Sequence, residues 1–368
     1  MKTGKTLTEL AAELERQSKA KVDYIAPTRE LEIIAVDSGT MPPPQPHEGE
    51  NEHVINLRVN GHGSYDINEI AHNQIGERVG IPAKYYDRMR HDAPELLARN
   101  VNHWFQAKPE NRLVRLLDGR ARSFLSESYR PLDNHDLAEV AINTLVKKQA
   151  GVEVVSTEVT ESRLYIKAVT PRITGEVRPG DVLQAGIVIT NSEVGMGALK
   201  IEQMIFRLIC SNGAIAGDTF RRAHIGRKSG LEIEEARQYF ANETRQADDT
   251  AFWMKVRDVI AGSFDPALFE ETLAKHREAA GRKIIAEPEK VVEATAVKFG
   301  LTESDRSGIL RHLFKDDDMT QYGLHNAVTR YSQDVKNYDH ATDLERLGGR
   351  IIELPKTDWQ KIAEGIAA

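Results

Sequence analysis

Two spacings of apolar residues divide the chain. From Leu113 to about residue 225 apolar positions recur every second residue, as in half-buried strands, while the flanks repeat closer to every 3.6, as in amphipathic helices. The strand-rich stretch predicts a hairpin, Leu113–Leu117 and Arg120–Leu125, turning on Asp118-Gly119, residue types that accept the positive φ of a tight turn. A helix capped by Asp133 or Asn134 runs to about Lys148, with Leu137, Val140, Ala141 and Leu145 along one side. Strands are then expected at Val152–Val159, Arg163–Thr170, Val182–Thr190 and Ala198–Cys210, with a shorter one at Thr219–Ile225. Met204–Cys210 is apolar on both faces apart from Arg207, as a central strand should be. Behind it, Asn212-Gly213 reads as a turn that needs a left-handed residue.

Upstream, Thr6–Gln17 has helical spacing, Leu31–Val36 suits a strand, and the Pro-rich Met41–His53 reads as a linker or loop. Val54–Val59 and His62–Tyr65 flank Asn60-Gly61 as a second hairpin. Asp66 is expected to cap a helix that ends at Gly80, and Pro82 to restart another. Such a pair suits a DNA-reading helix-turn-helix or a packed helical hairpin. The second helix has no exposed basic face, which favours packing. Beyond Gly230 the pattern is helical: Leu231–Ala261, a start at Asp265-Pro266, Pro288–Phe299, then starts at Thr302, Thr320 and Asp339, the last stopped by Gly348-Gly349. The expected class is α+β: a curved, mostly antiparallel sheet with a helix on one face, followed by a helical C-terminal region. Its expected divisions are 1–53, 54–112, 113–230 and 231–368.

The composition of the 368 residues, 40% hydrophobic and 29% charged, is that of an ordinary globular chain. No window approaches a membrane span and the charged N-terminus is unlike a signal peptide, so no membrane partner and a cytoplasmic location are expected. One cysteine excludes an intrachain disulfide and a Cys-rich zinc site. The net charge of −7 is uneven: residues 107–230 carry 18 Lys+Arg against 14 Asp+Glu. A basic middle suits a polyanionic partner.

Phosphate-loop, nucleophile-elbow and zinc-helix motifs are absent, so no catalytic residue, metal or cofactor is assigned. Asp316-Asp317-Asp318 reads as a solvated charge run. Cys210 suits core packing better than nucleophilic catalysis, because Arg207, three residues away, falls on the opposite strand face. Arg207 itself is expected to pair with a carboxylate from a neighbouring strand. Two basic and aromatic groups remain. Arg120, Arg122, Phe124 and Arg130 lie on the first hairpin and its exit; Phe220, Arg221, Arg222, Arg227 and Lys228 follow the central strand. Guanidinium groups and ring faces together suit a single-stranded backbone and its bases. For the hairpin group a solvated sheet edge is the favoured explanation.

NSEVGMGALKIEQMIFRLICSNG resembles the signature of a phage- and plasmid-borne family, a domain of unknown function (family 932), matching at Asn191, Ser192, Gly195, Arg207, Cys210, Asn212 and Gly213. RSFLSESYRPLDN (Arg122–Asn134) and HNAVTRY (His325–Tyr331) are similar to two further blocks of that family. The resemblance implies a mobile-element origin and no established reaction. The strand-helix-strand order is also similar to the annealing fold of Rad-fifty-two-like proteins. Single-stranded nucleic-acid binding or annealing in recombination or replication, by a homo-oligomer, is therefore expected. The alternatives are a non-catalytic structural or interaction protein acting on host factors and, third, a Cys-dependent enzyme.

Overall fold

The structure, a computed structural model, describes residues 1–37, 53–148, 151–209, 211–222 and 242–366. Alternating apolar residues build β1 (Val22–Pro27), β2 (Leu31–Asp37), β3 (His53–Val59), β4 (Gly63–Ile67), β5 (Asn111–Leu117) and β6 (Arg120–Ser126), paired in the order β1-β5-β6-β4-β3-β2. All pairings are antiparallel except β4 with β6, which meet in parallel through Asp66–Arg120 and Ile67–Ala121. A parallel joint needs a crossover. Three helices supply it: α2 (Glu69–Val79), α3 (Ala83–Asp92) and α4 (Pro94–Ala107), which bury Ile75, Tyr86, Leu97 and Phe105 against Leu57, Val114 and Phe124.

The second sheet is an antiparallel meander of β7 (Glu153–Val159), β8 (Leu164–Glu176), β9 (Val182–Asn191), β10 (Leu199–Arg207) and β11 (Asn212–Arg222), with β7 and β11 at its edges. One face is covered by α1 (Leu7–Ala20), α5 (Asn134–Asn143) and α6 (Asn242–Gly262), where Leu10, Leu137 and Val256 meet Leu164, Ile166, Ile189 and Ile201. The C-terminal helices follow: α7 (Pro266–Gly281), α8 (Pro288–Phe299), α9 (Glu303–Asp316), α10 (Gln321–Tyr331), α11 (Tyr338–Ile352) and α12 (Lys356–Ala363). They have their own core around Val291, Ile309, Leu324, Leu347 and Trp359, and α11 closes the other face of the sheet against β11. With helices on both faces, Leu164–Thr170 of β8 is buried at every position.

The α+β class stands, as two mostly antiparallel sheets followed by a helical region. The Leu113–Leu125 hairpin forms as expected, with Asp118 and Gly119 at φ 52° and 77°, yet it joins the first sheet and not the later strands. Its apolar face, Val114, Leu116, Ala121 and Phe124, completes the core beneath the crossover helices. Several local expectations change: the Ala198–Cys210 strand ends at Arg207, leaving Leu208 and Ile209 exposed, and the short strand expected at Thr219–Ile225 is the end of β11. Asn68, not Asp66, caps α2, its side chain accepting from the Ala71 N–H at 2.9 Å. Ser211 takes the left-handed conformation (φ 51°), so Asn212-Gly213 opens β11 instead of forming the turn. Asn337 caps α11, ahead of the Asp339 expected to start it. Gly348-Gly349 does not stop that helix; a Cβ at Gly349 would collide with the Ile215 carbonyl, so glycine permits the close approach of α11 to β11. The Pro-rich stretch apart from His53, Cys210, residues 223–230 and the start of the expected Leu231–Ala261 helix lie outside the described residues. Among the described residues no helix is long and apolar enough to cross a membrane.

Candidate functional site

The two sheets meet where the chain leaves β9. Asn191-Ser192-Glu193-Val194 is buried there and docks on β6 and on the segment leading into α5. Glu193 is the hub. Its Oε2 accepts from Arg122 Nη2 at 2.7 Å, its Oε1 from the Asn134 backbone N–H at 2.6 Å, and its carbonyl from Arg115 Nη1 at 2.7 Å. Asn191 Nδ2 donates to the Leu132 carbonyl at 2.7 Å and to Asn134 Oδ1 at 2.8 Å, and the Tyr129 hydroxyl donates to the Ser192 carbonyl at 3.1 Å. From α2, Gln74 bridges the sheets: its amide donates to the Val194 carbonyl at 2.8 Å and its oxygen accepts from the Phe124 N–H at 2.7 Å. Gly195 makes the turn with φ 78°.

Arg115 is 1% exposed and pairs with Asp23 at 3.0 Å. Burial opposes its charge, but the Asp23 hydrogen bond and charge, with Glu193 and Asp133 behind it, hold its pKa above the ordinary value. Arg122 differs. It is 8% exposed, and its Nε, though buried, has no acceptor among the described residues. A cleft of about 320 Å³ opens beside it, walled by α1, the β5–β6 turn and the β7–β8 turn, with Arg122, Glu193 and Asn134 in its lining.

A second polar constellation fills the seam between the five-stranded sheet and the C-terminal helices. Arg207 forks onto Asp181, Nε to Oδ1 at 2.6 Å and Nη2 to Oδ2 at 2.8 Å, with its guanidinium 5.6 Å from the Tyr322 ring centroid. The Tyr322 hydroxyl donates to Asp181 Oδ2 at 3.1 Å, and Asn212 Nδ2 to Thr329 Oγ1 at 2.9 Å. His276 and His325 are stacked edge-on with ring centroids 5.1 Å apart, each Nδ1 donating to a backbone carbonyl, Thr272 and Gly348 respectively. Burial pushes their pKa values down to about 4 and about 3. Further along the seam, Lys167 of β8 and Glu345 of α11 form a fully buried ion pair at 2.6 Å, and burial lowers the lysine pKa. Both constellations are thus assembled from residues far apart in sequence.

A family model described as a domain of unknown function (DUF932) matches residues 122–350, from the junction arginine to the last turn of α11. The chain belongs to the DUF932 family. No curated protein and no solved structure matches it. The three DUF932-like sequence blocks are brought together in pairs: Arg122–Asn134 lies against Asn191–Gly195, and Asn212 of the NSEVG…CSNG block bonds Thr329 of His325–Tyr331.

The residues expected to meet nucleic acid in this DUF932 protein are scattered among different environments. Phe124 is buried, stacked on Phe105 with ring centroids 5.6 Å apart, and offers no face to a base. Arg122 binds Glu193, and Arg120 binds Asp66 at 2.6 Å; neither forms the solvated edge expected for the hairpin. Arg130 is exposed. Phe220, Arg221 and Arg222 end β11, an edge strand, but their side chains, like Arg227 and Lys228 entirely, lie outside the described residues. Arg207 has the carboxylate partner expected of it, from the turn that enters β9. Glu193 and Lys167 escape a reading of the sequence alone. Lys167 carries a usable signal, a lone charge within the apolar run Leu164–Val169, the same anomaly that marks Arg207. Glu193 has none beyond its place inside the NSEVG block.

Proposed function

We propose that this protein binds single-stranded nucleic acid without catalysing chemistry on it, in the cytoplasm and as a homo-oligomer, serving recombination or replication of a mobile element. One observation carries the proposal. At the end of β11 the ladder sets Arg221 directly opposite Lys200, with Arg222 next to it, on the edge of the five-stranded sheet. Like charges directly opposite each other destabilise a strand pair. Glu202, 3.7 Å from Lys200, is shared with Arg346 at 2.6 Å. Phosphates laid along this edge would neutralise the pair and displace counterions. With Arg120, Arg122 and Phe124 engaged inside the fold, Arg130 and Phe220–Lys228 remain as the expected contacts.

The test is fluorescence anisotropy of a labelled oligonucleotide across a salt series. Binding at low salt is expected, with Arg221→Glu and Arg222→Glu reducing both the affinity and the slope of log K against log salt, by about one for each phosphate the arginine had neutralised. No binding at low salt ends the proposal.

A further inference from the structure

The inter-sheet cleft contains charged groups that the protein leaves incompletely matched, and they differ in sign. The deepest is Arg122. Glu193 meets only Nη2 of its guanidinium, because the other carboxylate oxygen is held by the Asn134 N–H; among the described residues the buried Nε–H has no acceptor. Burying a donor on a charged group without a partner is costly; the Nε–H has no accessible surface of its own, so an acceptor in the cleft that Arg122 lines would be bound favourably once the side chain shifts toward it. At the wall, Arg163 donates Nη2 to the Met196 carbonyl at 2.7 Å and forms no ion pair with a carboxylate among the described residues. Glu161, on the same β7–β8 turn, is exposed and likewise makes no ion pair among them. The other charged residues of the lining are engaged: Arg16 with Glu13 and Asp118, and Arg120 with Asp66.

We infer that the cleft is a binding site for a small zwitterion of the amino-acid type. Its carboxylate completes the Arg122 fork and meets Arg163, and its ammonium group faces Glu161. A carboxylate suits the remaining donor geometry, since guanidinium and carboxylate match through paired N–H groups. A net-neutral ligand suits a lining with as many arginines as carboxylates, where a polyanion would be repelled by half the wall. The volume, about 320 Å³, is at the small end of ligand pockets. None of these residues lies on β11, so this site and the nucleic-acid edge stand or fall separately.

Isothermal titration calorimetry of the full chain tests it, using a pool of the common amino acids and then each singly, with acetate, inorganic phosphate and ethylamine as single-charge probes. Saturable binding of at least one amino acid, at least about tenfold tighter than any single-charge probe, is expected. Glu161→Gln, at an exposed turn that leaves the fold intact, should weaken it severalfold. Arg122→Lys, which keeps the charge opposite Glu193 but removes the Nε–H, should weaken it about tenfold or more. If Arg122→Lys does not fold, Glu161→Gln alone decides. No heat with the pool at millimolar concentration, equal binding of acetate or phosphate, or binding indifferent to Glu161→Gln overturns the inference.

Discussion

The inter-sheet junction and the sheet–helix seam both use an arginine and a carboxylate, and they use them differently. At the seam Arg207 engages Asp181 through Nε and Nη2 together, one oxygen for each donor. At the junction Glu193 divides its two oxygens between Arg122 and the start of α5, so the fork stays half open beside a cleft. The Arg207–Asp181 fork is closed within the chain, and Tyr322 ties it to the helical region. The junction fastens the two sheets while leaving a charged donor short of a partner. A closed fork needs no further acceptor, whereas an open one next to open space invites a ligand.

The seam should respond most strongly to mutation. Lys167→Ala leaves Glu345 buried and uncompensated and should cost about 3–5 kcal/mol, whereas Lys167→Met with Glu345→Leu should recover most of it. Urea denaturation checks both; a single-variant cost below about 1 kcal/mol would remove the seam's charges from any role in holding the helices. Acid comes next. His276 and His325 stay neutral in the fold, with pKa values down to about 4 and about 3, while the unfolded chain takes up protons near the ordinary value of about 6.5. Their contribution is therefore intact above about pH 6.5 and is lost as pH falls toward about 4. By about pH 5 the loss amounts to roughly 2 kcal/mol for each ring. His72, buried on α2 and also down to about 3, adds to the same trend, so the His276→Asn and His325→Asn double variant isolates the seam. It should flatten the stability–pH curve between about pH 7 and about pH 5, and an unchanged slope would contradict the assignment.

At the junction, Glu193→Gln keeps a side-chain acceptor near Asn134 but removes the charge opposite Arg122. The expected cost is about 1–3 kcal/mol, partly restored by millimolar acetate, which can reach Arg122 from the cleft. Asp181→Asn at the seam should gain nothing from acetate. Equal behaviour of the two variants would erase the difference between an open and a closed fork. The smallest effect is at the cleft mouth: Arg16 is half exposed and bridges Glu13 and Asp118, and Arg16→Ala should change the unfolding free energy by less than about 1 kcal/mol.

Local patterns were legible in the residues alone. The Asp118-Gly119 turn, Gly80 and Gly300 in left-handed stops, the Thr302 and Thr320 caps and the Asp265-Pro266 start all depend on neighbours within a few positions. So did the anomaly of Arg207, because a charge inside an apolar run must find a partner wherever the chain takes it. β1 and α4 escaped notice. β1 has six residues, with Val22 and Ile25 exposed, so its apolar pattern is thin. Which residues became neighbours was decided only by the tertiary structure. Strand pairing is non-local, and the apolar face of β5–β6 could have completed either sheet. The crossover helices placed it in the first and so buried Phe124 and Arg122, which looked like a ligand-facing pair in sequence. Gly348-Gly349 shows the same limit in reverse. Read locally, two glycines end a helix; with α10 against Gly348 and β11 against Gly349, they let the continuing helix pack at close range. The sequence by itself determined the periods, turns, caps and the charges that could not stay alone. The packing of distant segments determined which partner each charge found, and left a donor of Arg122 unmatched beside a cleft.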